Sequence, residues 1–280
     1  MAPAPSAKMP KIQKLADLDE SLNLLVYGDS GVGKTVFAGT ADDGLIIASD
    51  KGTMSASRAG SKASTVAVNS LEDFEEITKW LKAGGHEKYR WLVVDGLTML
   101  QEIIMVSIVE KAVSENSSRD AYIPAIQDYQ KGHLILKRKV EMLCNMPVDV
   151  LFTALPMNLE TPDGDEIVVP QVKGSKGEVS HYISGLMTCF GRMTVKEIKS
   201  RTSDRTREVR RITWKPDGPY TGKDRSGVLA PHTDDLKLGE IRDMISSSAT
   251  TTRRATGSAR RAGTTRTATR RPAPSKRRTA

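Results

Sequence analysis

The chain has 280 residues, 27% of them charged and 5% aromatic, with a formal net charge of +8. That length covers one domain with a proper core plus tails, and no apolar run is long enough to cross a bilayer. Two cysteines, Cys144 and Cys189, lack metal-ligand spacing and are too few for a disulfide scaffold, which points to a reducing cytoplasm.

Residues 1–18 begin with an Ala- and Pro-rich run that has no apolar h-region. They read as a flexible lead-in, not a secretory signal. Apolar runs then predict strands at Asn23–Tyr27, Leu45–Ala48, Thr65–Val68, Trp91–Asp95 and Val148–Thr153, each continuous enough to be buried on both faces. A helix starts at Ser70, where Asp73 completes a capping box, and Leu71, Phe74, Ile77 and Leu81 recur on one face. Longer helices are expected over Leu97–Val113 and Ile123–Cys144. Alternation of this kind predicts a mostly parallel central sheet with helices on both faces. Met187–Lys199 and Val209–Lys215 read as two antiparallel strands joined by a polar turn at Ser203–Asp204, extending the sheet at one edge. A last helix over Asp235–Ile245 closes a domain of residues 19–246.

The stretch 247–280 is built from Ser, Thr, Ala, Gly, Pro and basic residues, and too little of it is apolar to offset its ordering entropy. It is expected to be a disordered basic tail. Between 246 and 280 lie ten cations, from Arg253 to Arg278, and no acid. Against the total of +8, the rest of the chain therefore nets −2. Such a tail binds polyphosphate by releasing counterions, although a merely solubilising role fits the same composition.

Gly28-Asp29-Ser30-Gly31-Val32-Gly33-Lys34-Thr35 fits GxxxxGK[ST] between an apolar strand and a helix start. Glycines there let backbone N–H groups turn inward around phosphate oxygens. Lys34 reaches the β- and γ-phosphates, and the Thr35 hydroxyl ligates Mg²⁺. Trp91-Leu92-Val93-Val94-Asp95 is four apolar residues followed by an acid, the form of a strand that aims Asp95 at a metal ion. ATP and Mg²⁺ are the expected ligands. Asp50, after Leu45–Ala48, is a candidate base for the attacking water, although Asp50-Lys51-Gly52 also reads as a plain turn. Thr153 is either a sensor of the γ-phosphate or a packed core residue. Lys223 and Arg225, at i and i+2 after the late strands, could reach a phosphate bound by a neighbouring subunit, or belong to a charged surface turn.

The order phosphate loop, Asp50, Asp95, Thr153 and Lys223-Asp224-Arg225-Ser226-Gly227 resembles the RecA/DnaB/RadA class. The stretch Ile126-Gln127-Asp128-Tyr129, leading by a long helix into Val150–Ala154, resembles the small phage-encoded RecA-like ATPases of the Sak-type single-strand annealing group. The resemblance covers residues 20–245. It implies a RecA-like P-loop NTPase fold, self-assembly into a ring or filament with shared active sites, single-stranded DNA as partner and the cytoplasm of an infected bacterial host. A single-strand-binding protein is a further candidate partner. It also implies DNA-gripping loops at Ser114–Tyr122 and Met157–Ser184. In the second, Lys173-Gly174-Ser175-Lys176-Gly177 offers amides and cations, and His181 and Tyr182 could stack on bases. Helicase-type motor, loader and nucleotide-regulated DNA-binding scaffold remain alternatives. A nucleotide kinase is disfavoured, because no Arg-rich lid is visible.

Overall fold

The computed structural model describes residues 21–199 and 206–247. The expected lead-in, the turn at Ser203–Asp204 and the basic tail from 248 onward lie outside the described residues.

The apolar runs form β1 (Asn23–Tyr27), β2 (Gly44–Ala48), β3 (Ser64–Ala67), β4 (Trp91–Asp95) and β5 (Asp149–Ala154). Among them lie α1 (Lys34–Ala38), α2 (Thr53–Arg58), α3 (Leu71–Lys82), α4 (Leu97–Glu115) and α5 (Ile126–Cys144). The capping box at α3 is present: Asp73 N donates to Ser70 Oγ at 3.0 Å, and Ser70 N donates to Asp73 Oδ2 at 3.2 Å. Next come β6 (Pro156–Glu160), β7 (Glu166–Pro170), α6 (Glu178–Leu186), β8 (Cys189–Lys199), β9 (Thr206–Thr213), β10 (Lys223–Asp224) and β11 (His232–Asp234). Residues 238–247 form α7.

The main sheet runs β11-β9-β8-β1-β5-β4-β2-β3, with β10 paired against β8. From β8 to β3 every pairing is parallel. β9, β10 and β11 are antiparallel to their neighbours. The fold class is therefore the expected one, an α/β P-loop sheet with an antiparallel edge. No helix among the described residues is long and apolar enough to cross a membrane.

Strand alternation explains why the parallel strands read as unbroken apolar runs. Leu25, Tyr27, Ile47, Val94 and Phe152 face one layer, packed under α3, α4, α5 and α6. Leu24, Val26, Ile46, Val93 and Leu151 face the other, which holds Phe37 of α1, Met193 and Ile212 of the β8–β9 hairpin, and Leu238 and Ile241 of α7. Asp149 ties the second layer to the sheet: it accepts from Leu22 N at 2.8 Å, and Arg242 Nε of α7 lies 3.1 Å from its Oδ2.

Two expectations about local structure are overturned. β3, expected to be buried on both faces, is an edge strand whose Ser64, Thr65 and Ala67 are exposed. The stretch Met157–Ser184, expected to be a long irregular loop, is mostly regular. β6 and β7 form a separate antiparallel hairpin, and α6 follows. The turn signal lay in Thr161-Pro162-Asp163-Gly164. Gly164 takes φ 87°, and Thr161 N donates to Asp165 O at 2.8 Å, closing the hairpin.

Candidate functional site

The loop Gly28–Thr35 leaves the C-terminal end of β1 and enters α1 at Lys34. Gly31 and Gly33 take φ of 84° and 102°, a conformation that favours glycine. Gly28 is required for a different reason: a Cβ there would stand 2.4 Å from the carbonyl oxygen of Met193, because β8 passes directly beside the loop. The Lys34 ammonium curls back onto the loop, donating to Gly28 O at 2.7 Å and Asp29 O at 2.8 Å. Burial pulls the Lys34 pKa below its usual value, and the carboxylates of Asp95, Asp29 and Asp50 oppose that pull. Among the described residues its hydrogen-bonded partners are these two neutral carbonyls, so an anionic ligand would be the stronger acceptor.

Asp95 ends β4 and is 4% exposed. Its Oδ1 accepts from the Thr153 hydroxyl at 2.5 Å. Its Oδ2 is buried and, among the described residues, accepts no hydrogen bond of normal geometry, although the Thr35 hydroxyl lies close enough to stabilise the carboxylate. Burial raises the Asp95 pKa above the usual carboxylate range, and the negative charge of Asp50 adds to that. The hydroxyls of Thr153 and Thr35, and the charge of Lys34, act the other way. A buried carboxylate oxygen beside a threonine hydroxyl and a lysine is what a cation would complete.

Thr153 belongs to β5, and β5 lies between β1 and β4 in the sheet. The threonine is thereby set between the phosphate loop and Asp95. It is 1% exposed, and its hydroxyl orients the Asp95 carboxylate. Asp50 is exposed at the tip of β2 and lines the same cleft. Sequence reasoning missed Ser49. Its hydroxyl donates to Gly96 O at 2.7 Å and accepts from Gly96 N at 2.9 Å, fixing the turn after Asp95. It also missed Thr98, whose hydroxyl donates to Gln171 O at 2.8 Å and accepts from Leu155 N at 3.1 Å, joining α4 to the exit of β5 and the end of β7. The cleft, open to solvent, has a volume of about 470 Å³ and gathers Lys34, Thr35, Asp50, Asp95, Thr153 and Arg210. Arg210 carried no motif in the sequence; only the β8–β9 pairing brings it here.

Lys223 and Arg225 lie elsewhere. β10 pairs with Cys189 and Phe190 at the start of β8, the end of the strand opposite the phosphate loop. Lys223 Nζ donates to Ser184 O at 2.5 Å and Gly185 O at 3.3 Å, occupying the C-terminal end of α6. Burial and the neighbouring Arg225 charge hold its pKa down to about 8. Arg225 is exposed, with its backbone N–H on Thr188 O at 3.0 Å. Within one chain neither cation joins the cleft.

Of the two expected DNA loops, Ser114–Tyr122 is short, because α4 runs to Glu115. Arg119 there pairs with Asp128, which caps α5 by accepting from Ala125 N at 2.8 Å. Tyr122 and Ile123 are 93% and 68% exposed. In the second, Gln101 of α4 clamps both backbone groups of Lys173 at 2.7 Å. Lys176 and His181 are exposed, while Tyr182 leans on α5 with Lys137 over its ring.

The residues present fit a Mg²⁺-bound nucleotide. Among the described residues no three His, Cys, Asp or Glu side chains gather as a metal cage. Thr35 and Asp95 offer the hard oxygen donors that Mg²⁺ takes. A family model described as an AAA domain matches residues 20–226. No curated protein matches the chain. Among solved structures, a KaiC-like protein from the hyperthermophilic archaeon Pyrococcus horikoshii OT3 is 12% identical over 69% of this chain and 78% of that one, with a TM-score of 0.36.

Proposed function

The chain belongs to the AAA domain family, and from that premise we propose that it binds ATP with Mg²⁺ at the phosphate loop, hydrolyses it, and acts as a RecA-like protein on single-stranded DNA in phage recombination or replication. The buried Oδ2 of Asp95, in the cleft that Thr35 and Lys34 also line, carries the nucleotide part of this reading. ATP supplies the phosphoryl bond that is broken, and Mg²⁺ offsets the charge that develops on it. Lys34 releases its carbonyl partners and takes phosphate oxygens. Thr35 and Asp95 would hold the cation, and the Thr153 hydroxyl, bonded to Oδ1, would keep the Asp95 carboxylate oriented for it. Asp50, exposed at the cleft mouth, orients the attacking water and takes its proton.

The DNA part is supported by the ten cations of the tail and by Lys176 and His181, exposed together past β7. Lys223 and Arg225, lying outside their own chain's cleft, would serve only the cleft of a neighbouring subunit in a ring or filament. The rival reading, a nucleotide-regulated DNA scaffold with little hydrolysis, is favoured by one observation: Asp50 is exposed, and no side chain among the described residues donates to it to hold it on a water. Turnover of MgATP with and without single-stranded DNA decides between them. DNA-stimulated hydrolysis that chelation of Mg²⁺ abolishes supports the motor or recombinase. Tight MgATP binding without turnover supports the scaffold. Absence of any nucleotide binding overturns both.

A further inference from the structure

The hairpin β8–β9 carries four arginines in its two strands, and three have partners. Arg192 stacks on the Tyr220 ring at 3.5 Å and lies 3.7 Å from Asp29. Arg207 pairs with Asp235 at 3.3 Å, and Arg211 grips Asp234 through two bonds at 2.7 and 2.8 Å. Arg210 has no carboxylate or hydrogen-bonded partner for its guanidinium among the described residues, and it lines the nucleotide cleft.

Its placement is built, not incidental. Strand alternation puts Arg210 on the face of β9 that also carries Ile212, whose side chain packs in the layer of α1. Arg210 N donates to Asp235 Oδ1 at 2.8 Å, and Asp235 N donates to Arg210 O at 2.8 Å, so the backbone is pinned from both sides. The side chain then crosses the phosphate loop: a Cβ at Gly33 would fall 2.2 Å from Arg210 Nε. The sheet order decides which part of a nucleotide it meets. β9 and β8 lie on one side of β1, while β5, β4 and β2, which bring Thr153, Asp95 and Asp50, lie on the other. The reacting terminal phosphate belongs beside the metal and water carboxylates. Arg210 flanks the loop from the opposite side.

We infer that Arg210 clamps, within its own chain, the α- and β-phosphates that ATP and ADP share, closing the cleft opposite Asp95. This rests on the nucleotide reading above. It makes Arg210 a binding residue of the same chain, distinct in role from Lys223 and Arg225. A planar guanidinium suits two phosphate oxygens at once, and its charge is felt equally before and during reaction. Affinity should therefore depend on it, and the rate at saturation should not.

The test is calorimetric titration of MgADP and MgATP into the full chain, its Arg210→Ala variant and its Arg210→Lys variant, with kcat measured alongside. Arg210→Ala should weaken ADP and ATP by the same factor, about ten- to a hundredfold, with kcat within about twofold of wild type. Arg210→Lys should fall between, keeping the charge and losing the fork. Because the side chain is exposed and its backbone bonds survive substitution, the variants' melting curves should match wild type, and the conservative Arg210→Lys keeps the comparison open if Ala unfolds. Equal affinities in wild type and Arg210→Ala would overturn the inference alone. A loss confined to ATP, or a collapse of kcat, would also overturn it by moving Arg210 to the terminal phosphate. If wild type binds neither nucleotide, the proposed function falls first.

Discussion

At the residue scale the decisive feature is a buried carboxylate oxygen, Asp95 Oδ2, that accepts no hydrogen bond of normal geometry among the described residues. Burial raises the pKa of Asp95, so at neutral pH its charge is held in the fold at a disadvantage. The folded pKa lies above the unfolded one, so the disadvantage is present near neutrality and is relieved as pH falls through the raised value. Burial costs a carboxylate more as the ion than as a neutral group, and about 2–4 °C of melting temperature accompanies each kcal/mol in a domain of this size. Asp95→Asn should therefore melt several degrees above wild type without nucleotide, gain nothing from added MgATP, and lose its advantage in acid. Melting curves across pH with and without MgATP check all three; an Asn variant that melts lower at neutral pH would show that Asp95 is already satisfied. Lys34→Ala should bind ATP weakly and not turn it over, since the cation assigned to the β- and γ-phosphates is gone. Asp50→Asn should keep ATP affinity and slow hydrolysis by about 10²–10⁴-fold, the usual contribution of a general base. A normal rate in that variant would pass the role to another group.

At the element scale, two contacts depend on β8, one beside the phosphate loop and one at the opposite end of the strand. Gly28 is needed because β8 runs beside the loop, with the Met193 carbonyl 2.4 Å from where a Cβ would sit. Gly28→Ala must push β1 and β8 apart, and the strain should show as a melting temperature lowered by several degrees, on the order of 1–3 kcal/mol. Unaltered melting and nucleotide affinity would mean that the strands yield freely. Lys223 fastens β10 to the end of α6 by its bonds to Ser184 and Gly185. Its folded pKa of about 8 lies below the usual 10.5. The stability linked to its titration is therefore fully present above the higher value and is lost as pH falls through the lower one. Chemical denaturation of wild type against Lys223→Gln should show wild type gaining on the variant as pH rises across that window, and a constant difference would place the Lys223 pKa at its ordinary value.

At the scale of the whole molecule, the sheet puts the cleft on one end of the parallel strands and Lys223–Arg225 on the other. Shared active sites then require a second copy. Arg225→Ala mixed with Lys34→Ala should recover part of the ATPase activity that each lacks alone, because some interfaces would pair an intact Lys34 with an intact Arg225. Demonstrable co-assembly without recovery would make Lys223–Arg225 an ordinary surface turn, with Lys223 serving only α6. Removing residues 248–280 should leave the ATPase rate without DNA unchanged and reduce the salt dependence of single-stranded DNA binding, by about 0.7 in log–log slope for each phosphate the tail neutralises. A slope that survives truncation would place the DNA contacts in the folded part.

The sequence by itself determined the strands β1, β2, β4 and β5, the capped start of α3, the phosphate loop and Asp95. Each is a local pattern: an apolar run, a Ser70–Asp73 pair three residues apart, glycines and a lysine at fixed offsets in one turn. The Met157–Ser184 hairpin was within reach as well, through the Pro-Asp-Gly turn, but the expected loop masked it. Only the tertiary structure decided that Thr153 orients Asp95, that Ser49 fixes Gly96, that Lys223 ends α6 and that Arg210 lies over Gly33. Those pairs are separated by tens to nearly two hundred residues. No spacing rule links them, because what brings them together is the register of strands that pair across the sheet and the side of β1 on which each strand falls.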